Sequence, residues 1–454
     1  MNFILFVYLL IKFISPIIST IFLENEYKEK IIYFPIELNF NAFYTNIYFG
    51  QPPQKILLSL DQELQVTWTD TIHYKQENSI NSKEINETTI SFRRVNLFGK
   101  TISDTIMFNS NEDYLYNNTN NISIDDFWFV VVGNSRGYDS RVGGIGLSFK
   151  FADERYSLIH HLKKNNLITQ LNYGYIPFSL VISNNLTDNN SNISLNQEGL
   201  IFFGGIPKNY IVNKYRYNCK VTEKYNFWSC ELPYILFGEI TYNNNFNNTL
   251  FFENKNYAYF NGAERRILAP EDFMSFLKHN YFRENILNET CKYYLYGMNY
   301  VFECICNIKN NFPDINCIFN NYQYKFTSEE LFSYYGGGNC LFLIQGNHLR
   351  KNNFVFGTPF LNKFISNFDY ETKLITFYSE KQIKEIDLFN FFQKRNINKY
   401  IIGIFLILFI IAILVYIRRK IIMKKYKKDL LLIKNKGKNK IKKINKEEEG
   451  YELN

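Results

Sequence analysis

Seven cysteines are the residues whose chemistry needs least context to read. They are Cys219, Cys230, Cys291, Cys304, Cys306, Cys317 and Cys340, all after residue 218. Thiols so placed either ligate a metal or pair as disulfides. Cys304 and Cys306 stand one residue apart, and no His pair sits near them at zinc-ligand spacing, so no metal site is expected. An odd count leaves at least one thiol free or bridged to a partner molecule. Asn261-Gly262 is a deamidation-prone pair, flanked by Glu264, Arg265 and Arg266. His160 and His161 fall on a helix candidate and read as exposed side chains. No Ser/His/Asp set, phosphate loop or cofactor site stands out.

The elements that must carry these residues begin with the chain's ends. The protein has 454 residues and a net charge of +8. From Arg418 to Asn454 the balance is +9, and the remainder carries −1. A nucleic-acid groove would need that charge on the folded part, so nucleic acid is excluded as a partner. Residues 400–417 form an uncharged apolar run whose ~27 Å helical length matches a bilayer core. Arg418, Arg419 and Lys420 follow it and mark the cytoplasmic side. Residues 1–20 read as a signal peptide, although Lys12 and the lack of a basic n-region leave an uncleaved anchor open. These ends predict a single-pass type I membrane protein of the secretory pathway, its domain lumenal or extracellular. That compartment favours disulfides. Sequons at Asn86, Asn117, Asn121, Asn185, Asn189, Asn192, Asn247 and Asn288 suggest exposed loops.

Between the ends, short runs rich in β-branched and aromatic residues recur, bounded by Gly, Asn or Asp: FYTNIYFG, KILLSLD, DFWFVVVG, FSLVIS, GLIFFGG, YAYF, NFVFG and LITFY. They predict a mainly β architecture. Helices are expected at Tyr156–Asn165 and Glu271–Tyr281, the latter after Ala269-Pro270. An Asn-rich stretch at 184–196 is the best boundary. The expected organisation is a signal peptide at 1–20, β lobes at 21–195 and 196–385, a linker at 386–399, the membrane helix at 400–417 and a basic tail at 418–454.

Read in order, these segments resemble the pepsin-like aspartic peptidases. Phe43 to Gln54 resembles that family's opening strand and G-T-P-P-Q turn, leading through KILLSLD to Asp61, with Trp68 seven residues later. GGIGL at 143–147 is similar to its D-G-I-L-G-L segment, and SLIHHLKKNNLI at 157–168 to its amphipathic helix. GLIFFGGIP at 199–207, Phe227-Trp228, Phe312-Pro313-Asp314-Ile315 and FVFGTPFLNKFISNFD at 354–369 resemble further family blocks. The likeness runs from about residue 33 to 378. It implies a two-lobed pepsin-like aspartic peptidase fold plus one C-terminal transmembrane helix, as in a membrane-anchored, plasmepsin-like member. It also implies a Cys306–Cys340 bridge and a local Cys219–Cys230 bridge, with Cys291, Cys304 and Cys317 sharing one more bridge and one leftover thiol.

The family's reaction needs one aspartate from each lobe, the pair sharing a proton and holding the attacking water. Each sits in D-[TS]-G-[ST], where the glycine permits close approach of the two loops. Here the first motif is Asp61-Gln62-Glu63-Leu64 and the second is Asn261-Gly262-Ala263-Glu264. Asn261 stands where the second aspartate belongs, and an amide cannot cycle a proton. The flap tyrosine position falls on Phe92, followed by Arg93 and Arg94. Only about twenty residues separate the expected signal cleavage from the first strand, which is short for an inhibitory prosegment. Asp61 then reads as a residue kept for its turn, with Glu63, Glu264, Arg265 and Arg266 as an ion-pair cluster. A replacement dyad of Asp61 with Glu63 or Glu264, and deamidation at Asn261, are rival routes to activity.

The expected function is that of an inactive, membrane-anchored peptidase homologue. Its partners would be an extended peptide or protein ligand in the interlobe cleft, the membrane through one span, and a disulfide-linked protein through the odd cysteine. The alternatives are an active membrane-bound endopeptidase using Asp61, and an adhesive surface protein.

Overall fold

A computed structural model describes residues 30–39, 42–92, 95–111, 119–133, 143–177, 197–238, 251–253, 257–297, 299–347, 353–385, 405–425 and 427–428. The signal peptide expected at 1–20, the strand at 178–183 and the boundary at 195/196 lie outside these residues. The chain divides into two compact units, Met1–Ile386 and Asp387–Asn454.

The first unit is mainly β, as the β-branched and aromatic runs predict. Its strands form sheets of thirteen, nine and four strands. In the largest, six antiparallel neighbours run Tyr215–Lys220, Leu374–Ser379, Ile365–Asp369, Asn172–Pro177, Gln197–Phe203 and Ile32–Asn39. Strands from before and after residue 200 therefore share one sheet, with Tyr175 opposite Ser366. Helix Leu158–Lys164 is two residues later at its start than predicted, because Glu154–Tyr156 forms a 3₁₀ turn first. Helix Glu271–Asn280 follows Pro270, buries Phe273, Met274 and Leu277, and places Glu271 and Asp272 at its positive end.

One arrangement occurs twice. Strand Gln54–Asp61 lies parallel to Gly143–Gly146, which lies antiparallel to Trp68–Asp70, itself parallel to Thr119–Val132. Strand Tyr257–Phe260 lies parallel to Phe354–Phe356, which lies antiparallel to Ile267–Ala269, itself parallel to Ile344–Asn347. The order and sense of the four strands are the same in both sets. In each, the first strand ends in a turn, Asp61–Leu64 or Asn261–Glu264, before the third strand begins. Gly146 and Gly357 occupy matching places beside these turns. A Cβ on Gly146 would stand 2.9 Å from the Leu64 carbonyl oxygen, and one on Gly357 would run into those of Glu264 and Arg266. Both glycines are needed for the inserted strand to approach the turn.

Three disulfides brace the chain between residues 219 and 340: Cys219–Cys230, Cys306–Cys340 and Cys291–Cys304. The third joins facing residues of a hairpin. The leftover thiol is Cys317, buried in strand Ile315–Phe319, and burial pushes its pKa well above the usual range. A disulfide from it to a partner protein would first require that strand to open.

The second unit contains a helix over 405–425. Its first thirteen residues, 405–417, are all apolar or aromatic, and their side chains are exposed on every face. Arg418, Arg419 and Lys420 follow at once, and residues 400–404 lie outside those described. Among the described residues no helix is long and apolar enough to cross a membrane. The span expected at 400–417 is therefore not met as a described helix.

Candidate functional site

The two matching turns meet. Asp61 and Asn261 are fully buried, and Asn261 Nδ2 donates to Asp61 Oδ1 at 3.0 Å. Each side chain also closes its own turn. Asp61 Oδ1 accepts from the Glu63 backbone N–H at 2.9 Å, and Asn261 Oδ1 accepts from that of Ala263 at 3.0 Å. The Gln62 N–H crosses to Asn261 Oδ1 at 3.3 Å. Two backbone donors converge on that amide oxygen, so the amide nitrogen must face Asp61. Asp61 Oδ1 in turn accepts from two donors.

Gln62 replaces much of what is missing from the second turn. Its Oε1 accepts from the Gly262 N–H at 2.6 Å, and its Nε2 donates to the Tyr175 hydroxyl. A Cβ at Gly262 would meet Phe43 Cδ2 at 2.9 Å and Leu60 O at 3.1 Å, so a side chain there would have to displace Phe43. Gln62 thereby ties the first turn to the second through the Gly262 N–H. The Phe43 N–H donates to Gly262 O at 2.8 Å, tying the opening strand to the second turn.

An aromatic floor lies beneath. The Leu147 N–H donates to Asp61 O at 2.9 Å, while Leu147 O accepts from Trp228 Nε1 at 2.8 Å and the Tyr173 hydroxyl at 3.0 Å. Tyr370 donates to Ser148 O at 3.0 Å, and Tyr173 stacks on Phe368 with centroids 5.0 Å apart. Burial holds the phenols of Tyr173, Tyr175 and Tyr370 well above their usual pKa, so they serve as neutral donors and acceptors. This floor fixes the first turn from behind; truncating Trp228 would cost about 3–5 kcal/mol.

The charged residues near the turns are arranged differently from the sequence expectation. Glu63 and Glu264 are buried, Arg265 is exposed, and half-buried Arg266 donates through Nη1 to Gln345 Oε1. Burial, then repulsion from Arg265, lowers the Arg266 pKa to about 10. Phe92 ends strand Lys83–Phe92 opposite Val95, at the tip of a hairpin; Arg93 and Arg94 lie outside the described residues. The histidines are not exposed as expected. His161 is buried with Nε2 3.0 Å from Arg155 O, and His160 is partly buried with Nδ1 2.8 Å from Ser157 Oγ. Asn86 sits on a strand rather than in a loop, while Asn288 is exposed just past helix Arg283–Leu287.

Sequence reading missed Tyr175, Phe43 and Gln345, and missed what Gln62 does. Among the described residues no His/Cys/Asp/Glu group is placed to hold a metal ion. No protein-family model matches the chain, and no curated protein matches it.

Chemically, the pair offers one carboxylate and one amide that donates to it. Both side chains are fully buried. A displacement that needs one acid and one base has the base position alone.

Proposed function

We propose that the chain is a pepsin-like aspartic peptidase homologue of two lobes that has lost peptidase activity and holds an extended peptide or protein segment between them. The observation that carries this reading is the Asn261 Nδ2 to Asp61 Oδ1 hydrogen bond at the meeting of two matching turns. The doubled four-strand arrangement, the sheet shared by both halves and the bridges Cys306–Cys340 and Cys219–Cys230 support the family likeness. Full burial of both side chains supports inactivity. Peptide capture would use main-chain pairing to strand edges, which needs no catalytic group.

We further propose that the segment at 400–417 anchors the protein in a membrane as a type I protein. A helix apolar on every face buries itself in lipid or protein, and the Arg418-Arg419-Lys420 stop favours lipid.

The test is incubation of the detergent-solubilised full chain with a randomised peptide pool, followed by mass spectrometry of the retained and free fractions. Retained peptides of unchanged mass are expected. Retention of none, or fragments bearing new termini, would contradict the reading.

A further inference from the structure

Arg266 and Gln345 form a cluster that the Asp61–Asn261 pair does not use. Gln345 lies in strand Ile344–Asn347, directly beside Leu268 of the strand that follows the second turn. It is fully buried, its Oε1 accepts from Arg266, and its Nε2 has no hydrogen-bond partner. A guanidinium has five N–H donors. Among the described residues the Arg266 guanidinium has Gln345 as its one hydrogen-bond partner and no carboxylate within ion-pair distance. The corner therefore gathers donors and is short of acceptors.

The nearby groups narrow what could supply the acceptors. Arg265 and Glu264 act on Arg266 with opposite signs, Arg265 the more strongly, and Tyr296 and Tyr294 act more weakly. Glu303 accepts from the Tyr294 hydroxyl at 2.8 Å and Asn339 Nδ2 at 3.0 Å. Arg266 itself is half-buried rather than sealed. A planar group with two oxygens and one negative charge satisfies a guanidinium fork and a neighbouring amide together.

We propose that Arg266 and Gln345 form a carboxylate-recognition site beside the second turn, which takes an acidic side chain or the C-terminal carboxylate of a bound peptide. The peptide part rests on the reading of the chain as a peptide-binding protein; the carboxylate part does not.

The experiment uses the full chain in detergent and two kinds of probe. Fluorescent heptapeptide pools carry Glu or Gln at the centre, each with a free or an amidated C-terminus. The small probes are N-acetylglutamate methylamide and its glutamine counterpart, read by the unfolding midpoint. We expect the Glu pool to bind about tenfold tighter than the Gln pool if a side chain is read, or the free-acid pools to bind about tenfold tighter if the terminus is read. Arg266→Met and Gln345→Met should each erase the preference while binding of uncharged pools persists. Should Arg266→Met not fold, Arg266→Lys keeps the charge, loses the fork and must reduce the preference. Equal binding of all pools to the wild type would overturn the site, as would a preference that survives these variants. If no pool binds, the peptide reading fails, and the small probes decide alone. A midpoint rise with the acid, absent with the amide and lost in Gln345→Met, supports the site; its absence overturns it.

Discussion

The turns Asp61–Leu64 and Asn261–Glu264 share a backbone and differ in every side chain. In each, the first residue accepts the N–H of the third, and the fourth residue's N–H returns to the first carbonyl, at 3.4 Å from Leu64 and 3.1 Å from Glu264. An aspartate and an asparagine perform that task equally well, because both offer an acceptor oxygen. They differ in the second function: the asparagine donates to its neighbour and cannot take up or release a proton. Turn closure and proton transfer are thus separable demands on one residue. The second turn meets the first demand through Asn261 Oδ1.

The largest expected break in this comparison comes from its shared glycines. Gly357→Ala should cost about 3 kcal/mol or more, because two backbone carbonyls stand where the methyl would go. Gly146→Ala should cost about 1–3 kcal/mol, its contacts with Val66 and Leu64 being looser. Chemical denaturation of both variants would show whether the second half is the tighter. Next comes Gln62→Ala, which strands the Gly262 N–H and the Tyr175 hydroxyl in a dry site and should cost about 2–4 kcal/mol. Gly262→Ala should be destabilising alone and milder on a Gln62→Ala background, a coupling that a double-mutant cycle would read.

Asn261→Asp sharpens the comparison by making the turns alike in their first residue. Two carboxyls about 3 Å apart cannot both ionise, so one takes a raised pKa in the folded state. The variant's stability would then be highest below about pH 4 and fall as pH rises through the raised value, relative to wild type. Parallel titrations of unfolding free energy for the two proteins would show the divergence.

The smallest effect separates the two helices. Burial lowers the pKa of His160 and His161 on Leu158–Lys164, whereas Glu271–Asn280 buries only Phe273, Met274 and Leu277. A depressed histidine contributes stability above about pH 6.5 that is lost as pH falls through its folded value. His161→Gln should flatten that acid limb, while Met274→Leu should leave its shape unchanged.

Much of the frame was legible in the sequence because its signals are local. KILLSLD and YAYF read as strands from residue type, and Pro270 with Glu271 marks a helix start. The meeting of Asp61 and Asn261 was legible only through the ordered blocks of the family resemblance. Gln62 was opaque because its partners, Gly262 and Tyr175, are 200 and 113 residues distant. Cys291 and Cys304 could not be separated from Cys317 by spacing, since strand register alone sets them face to face. His161 read as exposed because a polar side chain gives no sign that a backbone carbonyl awaits it. The unpaired amide of Gln345 is a property of packing and has no sequence signature.

The most direct measurement is cleavage of a randomised peptide pool by the full chain from pH 4 to 7, beside Asp61→Ala and Asn261→Asp. We predict no new peptide termini from any of the three, since Asn261→Asp restores a carboxyl but leaves Gln62, Glu63 and Gly262 in place. Cleavage by the wild type that Asp61→Ala abolishes would contradict the account.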